Sequence, residues 1–322
     1  MTAEPSSTSL VLAFDVGATS VKAAVLDANL EVLSESRRPS RRGPGIIEVI
    51  GEIGDELLDT VQGVERTRVV AAGVVVPGLI DKAAGVSLRA VNLDLVDCPI
   101  GEPLARRWGI PVQVGHDVEA AGEAVHRSAG TREDPFVVVL GTGIASVMFV
   151  GGAPVRGVSG QAGELGHMVV RPDGTLCRCG ARGCLEGIAG AHAIVRAYRD
   201  GTGHQVEGAR AVVERVATDP VAAAVWQGAI NALADALVSV CTLTAPGSII
   251  LAGGLSDAGD ALVGPLRTAM TERSHVATVP PIRISPLGSR AGMFGAGHLA
   301  LDLAARLPAE STSPIAELGL RR

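Results

Sequence analysis

LVLAFDVGATSVKAAVLD, residues 10–27, reads as an apolar strand, a turn of small residues and a second strand running straight back. FVVVLGTGIASVMFVGG, residues 136–152, repeats that pattern. A short third strand follows each copy: EVLSES (31–36) after the first and APVRGV (153–158) after the second. Self-similarity on this scale constrains the whole fold more than either motif alone. It predicts a duplicated α/β unit, with two domains flanking a central cleft.

Outward from the first hairpin, GIIEVIGEIGDELLDTVQGV (45–64) places Ile46, Ile47, Ile50, Ile53, Leu57 and Val61 at helical spacing. A strand at 69–78, a helix at 99–109, an extended run at 110–115 and a helix at 117–130 give the order βββαβαβα. In the second half, helices are expected at about 189–199, 207–217 and 220–243. A buried strand, SIILAGGLS (248–256), feeds a Gly-Gly turn and a helix, and a strand at 281–286 and a helix at 289–307 close the pattern. The tail, 308–322, is expected to be mobile.

The 322 residues suit two domains at roughly 150 each. Hydrophobic residues make up 47% and aromatics only 2%, so aliphatic side chains must fill the cores. The net charge is −6, and the one basic cluster, Arg37 to Arg42, reads as a solvated loop rather than a phosphate-tracking arm, so no nucleic-acid partner is expected. The polar start MTAEPSSTS and the short first apolar run indicate neither a secretory signal nor a membrane span. Five cysteines, an odd number, do not suit a secreted disulfide framework, and a cytoplasmic protein is expected.

Both hairpin turns have small residues: Gly17, Ala18 and Thr19 after Asp15, and Gly141, Thr142 and Gly143. Glycine lets backbone N–H groups approach an anion closely, and hydroxyls add donors. Each turn alone is simply a tight hairpin; the pair could grip a polyphosphate from two sides. Asp15, ending a buried strand, is placed either to cap its turn or to hold hydrated Mg2+ through water. Gly253-Gly254 is either a nucleotide-binding crossing or a site of close helix–strand packing. Asp117 stands between a strand and a helix, where a carboxylate serves as an N-cap or faces a ligand beyond the strand ends.

Cys177, Cys179 and Cys184 fall within eight residues, ten after His167. Zinc takes tetrahedral Cys/His sets of this type, and Gly174, Gly180 and Gly183 allow a short loop to wrap it. The competing reading is free thiols. A thioredoxin-type C-x-x-C is absent, and a Cys177–Cys179 disulfide would be strained. Cys98 and Cys241 read as ordinary buried residues.

Together these motifs resemble the ROK family of sugar kinases and related transcriptional repressors, in the sugar kinase, heat-shock 70 and actin superfamily. The resemblance runs over roughly residues 10–305. It rests on Asp15-Val16-Gly17-Ala18-Thr19, Val76-Pro77-Gly78-Leu79-Ile80-Asp81, Asn92-Leu93, Leu140-Gly141-Thr142-Gly143, Glu164-Leu165-Gly166-His167, the cysteine motif through Glu186, and Leu251 to Ser256. It implies duplicated actin-like, ribonuclease H-like domains. Residues 1–117 with the C-terminal helix at about 289–322 would form an ATPase lobe; 118–288 would form a larger lobe with the zinc loop. It also implies an ATP-dependent, glucokinase-like kinase acting on a hexose or hexose derivative, and a homodimer.

By the same resemblance Asp117 is the catalytic base, which displaces the cap reading. Asn92, His116, Asp117, Glu164, His167 and Glu186 bind sugar, and His167 also gives one ring nitrogen to zinc. The glycine and Thr19/Thr142 turns with Gly253-Gly254 bind ATP. A helix-turn-helix repressor is not expected, because only about ten polar residues precede the first motif; a non-catalytic sugar-binding regulator is the alternative. Where the family reads Asn-Asp-Ala/Val-Asn, this chain has His116-Asp117-Val118-Glu119, which predicts altered sugar choice and weak use of plain glucose. Ala145 stands near the second turn where the family often has glycine, and is small enough to leave phosphate binding intact.

Overall fold

Leu10–Val16 (β1) buries every side chain except that of Asp15, which is only partly covered. A strand apolar on both faces belongs in the middle of a sheet. It lies there: Ser20–Asp27 (β2) pairs antiparallel on one side and Val69–Val76 (β4) parallel on the other. Val32–Pro39 (β3) and Val112–His116 (β8) complete the order β3-β2-β1-β4-β8. This computed structural model describes residues 9–61, 66, 68–130, 134–158 and 160–307. The tail at 308–322 lies outside the described residues.

The second half builds the same sheet again. Pro135–Leu140 (β9) is central, Ile144–Val150 (β10) and Ala153–Pro154 (β11) pair antiparallel beyond it, and Ser248–Ala252 (β12) and Ile282–Ile284 (β13) run parallel on the other side. The order β11-β10-β9-β12-β13 matches the first sheet strand for strand. The fold is thus the duplicated actin-like, ribonuclease H-like α/β class. The chain divides into two compact units, Met1–Ala120 with Gly292–Arg322, and Ala121–Ala291.

Three strands in the first unit escape the sequence reading. Leu79–Asp81 (β5), Val86–Ala90 (β6) and Leu95–Pro99 (β7) form a small antiparallel sheet between β4 and the helix Gly101–Trp108 (α2). Hydrophobic alternation is hidden in β6 because Ser87 is fully buried, while Leu88 is only partly covered. The expected strand at 153–158 stops at Pro154, and Gly157 turns left-handed at φ +66°. Beyond β11 the second unit's described α-helices are Glu186–Ala189 (α4), Ala191–Thr202 (α5), Ala209–Val213 (α6), Pro220–Thr244 (α7) and Asp260–Arg273 (α8). The helix expected over 207–217 keeps only five residues as α6.

Ile46–Thr60 (α1) lays Ile46, Ile50, Ile53 and Leu57 into the first core. One of the few aromatic contacts, Phe14 stacked on Trp108 at 5.2 Å, lies there too. Ala291–Ala304 (α9) lies on β4 so closely that a Cβ at Gly73 would stand 1.9 Å from the Ala296 carbonyl oxygen. The second core is organised on α7, whose Asp219 cap accepts from Val221 and Ala222 N–H beside Pro220. By length and composition α7 could span a bilayer, but Trp226, Ile230, Leu233 and Leu237 are buried in this core.

Candidate active site

The β1–β2 register pairs Val16 with Val21, so the first turn is Gly17-Ala18-Thr19-Ser20. Gly17 N–H donates to Ser20 O at 3.0 Å, and Ser40 bonds to both Gly17 O and Thr19 O. The same register sets Asp15 opposite Lys22, whose Nζ lies 3.7 Å from Oδ2. On its other side the Asp15 carboxyl touches the start of α9: a Cβ at Gly292 would lie 2.7 Å from its Cγ. Burial raises Asp15 to about 6; Lys22 opposes the shift and the Asp117 charge adds to it. A carboxylate so crowded, with an opening to solvent, suits a cation that a phosphate chain would bring.

Asp117 is the first residue of Asp117–Ala129 (α3). The residue before it does the capping: His116 Nδ1 accepts the Glu119 N–H at 3.4 Å. That bond leaves the neutral ring's proton on Nε2, which stands 3.6 Å from Asp117 Oδ1, too far for a hydrogen bond. Oδ1 takes the Val118 N–H at 2.8 Å. Asp117 Oδ2 has no hydrogen bond among the described residues. The cap reading of Asp117 is thus replaced by a cap at His116. Glu119 is ion-paired with Lys82. Asn92 is exposed in the short 3-10 turn Val91–Leu93 that follows β6. Gly78 (φ +97°) lets the Val76-Pro77-Gly78 turn press on that strand, since a Cβ would meet Arg89 O at 2.2 Å.

In the second unit Gly141 N–H bonds Gly143 O at 2.9 Å. Glu186, at the start of α4, reaches under this turn, and its Oε2 accepts the Ile144 N–H at 3.0 Å. A Cβ on Gly143 would stand 2.2 Å from that oxygen. Glycine at 143 therefore leaves space for the Glu186 carboxylate. Ala191 N–H donates to Gly141 O at 3.1 Å, so the turn is held at both ends. Gly253 (φ +88°) brings the end of β12 against Leu140, where a Cβ would lie 2.4 Å from the carbonyl oxygen, and the buried Ser256 hydroxyl donates to Gly253 O. Gly254 starts the next 3-10 turn.

Glu164 precedes the 3-10 turn Leu165–His167, which Gly163 and Gly166 press onto β10. His167 Nδ1 lies 3.8 Å from Cys177 Sγ, and its Nε2 lies 3.8 Å from Glu164 Oε2. The donor atoms of His167, Cys177, Cys179 and Cys184 all fall within 4.8 Å of one another. A zinc tetrahedron with Zn–S near 2.3 Å has S–S edges of about 3.8 Å, and Cys179 and Cys184 Sγ are 3.7 Å apart. The Ala181 N–H lowers Cys179 to about 7, whereas burial pushes Cys184 up to about 12. All the cysteines are free, with Cys98 and Cys241 buried. The donor set therefore fits zinc. Gly183 (φ +74°) closes the loop, since a Cβ would stand 1.4 Å from Arg171 O.

Each unit thus gathers its expected residues: Asp15, the first turn, Asn92, His116 and Asp117 belong to the first; the second turn, Gly253-Gly254, Glu164, Glu186 and the zinc set to the second. Three neighbours escaped notice. Lys22 was legible from the hairpin register; Gly292 and Lys82 carry no local signal.

The ROK family model matches residues 11–303. A glucokinase of Streptomyces coelicolor is 29% identical over 316 residues, spanning 91% of this chain and 98% of its own length. A glucokinase of Halalkalibacterium halodurans is 30% identical over 306 residues, spanning 88% and 93%. Among solved structures, a ROK family glucokinase from Streptomyces griseus in complex with glucose and AMPPNP matches with a TM-score of 0.79 at 26% identity, over 91% of this chain and 99% of that one.

Proposed function

The chain belongs to the ROK family, and on that premise we propose how its residues carry out the reaction of an ATP-dependent sugar kinase. Asp117 is the general base. Its Oδ2 accepts the proton of a hexose hydroxyl as that oxygen bonds to the γ-phosphorus of ATP and the bond from phosphorus to the β–γ bridging oxygen breaks, releasing ADP. Such a transfer needs alignment and charge neutralisation more than covalent help. The observation that carries this reading is the cap at His116, which leaves an oxygen of Asp117 uncommitted at the helix start.

The two small-residue turns, with Thr19 and Thr142, bind the phosphates, and Gly253-Gly254 the adenosine. Asp15 holds Mg2+ through water; with ATP that ion neutralises phosphate charge. On the first unit Asn92, His116 and Asp117 contact the sugar; on the second Glu164, His167 Nε2 and Glu186 do. His167 Nδ1, Cys177, Cys179 and Cys184 hold zinc, which orders the loop carrying Glu164 and Glu186. His116 spends Nδ1 on its cap and so presents only a donor, where an asparagine amide could also accept. That favours a hexose or derivative other than plain glucose. We further propose a cytoplasmic homodimer of two-lobed chains.

The test is Asp117→Asn. With MgATP and a panel of hexoses and N-acetylhexosamines, sugar binding persists and turnover falls by about 10² or more. Near-normal turnover would refute the assignment.

A further inference from the structure

Lys82 lies in the β5–β6 turn, 41% exposed, and its ammonium pairs with Glu119, which is 18% exposed. Its backbone is fixed as well: Gln113 Nε2, on β8, donates to Lys82 O at 2.9 Å. Asp81 Oδ1 accepts the N–H groups of Ala83 and Ala84 at 3.1 and 3.0 Å, which stiffens the turn around it. Glu119 in turn is held by its own N–H on His116 Nδ1. Lys82, Gln113, His116 and Glu119 therefore tie together three elements: the β5–β6 hairpin, the end of β8 and the first turn of α3. Asp117 stands in that turn. The hairpin continues through β6 straight into the turn that carries Asn92.

We propose that Lys82 is a positioning residue: acting through Glu119, it holds the hairpin that leads to Asn92 against the turn that carries Asp117, and so sets the spacing of two sugar-binding groups. An ordinary exposed ion pair adds little because both side chains must be ordered to form it. Here the lysine carbonyl is held by Gln113, the turn around it is braced by Asp81, and the glutamate sits on a capped helix turn. The pair's effect therefore falls on geometry, where small misplacements cost rate. Glu119 occupies a position where the resemblance would put asparagine, a shorter side chain than glutamate; the bridge belongs to this chain's own solution. The inference rests on the roles proposed for Asn92 and Asp117.

The experiment compares Lys82→Met, Glu119→Gln, the double variant and the charge swap Lys82→Glu/Glu119→Lys in the full chain. Glucose, mannose and N-acetylglucosamine are the probes, with MgATP, in a coupled ADP-release assay and a thermal melt. Each single change is expected to raise KM for the probe that wild type uses fastest by roughly three- to ten-fold, with KM for MgATP within two-fold and the melting midpoint little changed. The double variant should be no worse than the worse single, and the swap should recover part of the loss. Singles with unchanged sugar KM, or losses that multiply in the double variant, overturn the inference while the kinase reading stands. A wild type that phosphorylates none of the probes, with folded protein, defeats both.

Discussion

Replacing Gly143 by alanine tests whether the turn proposed to bind phosphate and the Glu186 carboxylate proposed to bind sugar are one device. The new Cβ would stand 2.2 Å from Glu186 Oε2 and 3.0 Å from its Cδ. The obstructing atoms are the tip of a flexible side chain, so the carboxylate swings away and the backbone stays. The Ile144 N–H, 3.0 Å from Oε2, then loses a charged acceptor. The displaced carboxylate is then no longer set to accept from a sugar hydroxyl, and one charged hydrogen bond lost from the complex costs about 1.5–3 kcal/mol, roughly ten- to a hundred-fold in affinity. Sugar KM should rise by that factor, and the melting midpoint should fall by no more than a few degrees as the Ile144 N–H loses its acceptor. Gly166→Ala is the contrast: its Cβ would meet the Ile144 carbonyl oxygen at 2.1 Å. Backbone cannot swing aside, so that variant should lose stability. Hexose titrations in a coupled ADP-release assay and differential scanning fluorimetry read both. A Gly143→Ala enzyme with unaltered sugar KM would refute the link between Glu186 and the sugar.

Asp15 titrates near 6 in the folded chain against 3.8 when exposed, so the native state binds the extra proton between those values. Stability from this group is present at low pH and lost as pH rises through 6. Asp15→Asn should therefore stabilise the protein at pH 7, by up to about 3 kcal/mol, while weakening MgATP use; a stability profile unchanged by the substitution would count against it. In wild type, kcat/KM for MgATP should fall below about pH 6 as Asp15 takes up its proton, and Lys22→Met should move that limb to higher pH; a flat profile from pH 5 to 7 would refute the role. Metal analysis after dialysis should find one zinc per chain, and Cys179→Ala should lower both zinc content and sugar affinity. His116→Asn should keep the α3 cap, since asparagine is a strong cap residue, and raise glucose use; unchanged glucose kinetics would make the substitution neutral.

Much of the candidate site could be read before any fold was known. Glycine and aspartate at a strand-to-strand turn are local requirements of backbone geometry, and three cysteines after a histidine carry their own coordination chemistry. The Lys22 partner of Asp15 was not singled out, although it was legible in the hairpin, because antiparallel register follows from the turn. The β5–β6–β7 sheet was illegible for a local reason: its buried face includes Ser87, so polarity and burial disagree. Glu119 and Lys82 are 37 residues apart, and nothing in either neighbourhood marks the other.

The sequence by itself determined the repeat, and with it the class of fold, because an apolar strand, a small-residue turn and a returning strand specify their own pairing. It also singled out His167, Cys177, Cys179 and Cys184, whose donor atoms the structure brings within 4.8 Å of one another. Only the tertiary structure decided which group does what: that His116 caps α3 and releases Asp117, that Glu186 braces Ile144 beneath Gly143, and that His167 turns Nδ1 to the cysteines and Nε2 to Glu164. Side-chain roles of this sort depend on atoms brought within about 4 Å from distant points of the chain, and no local propensity encodes them.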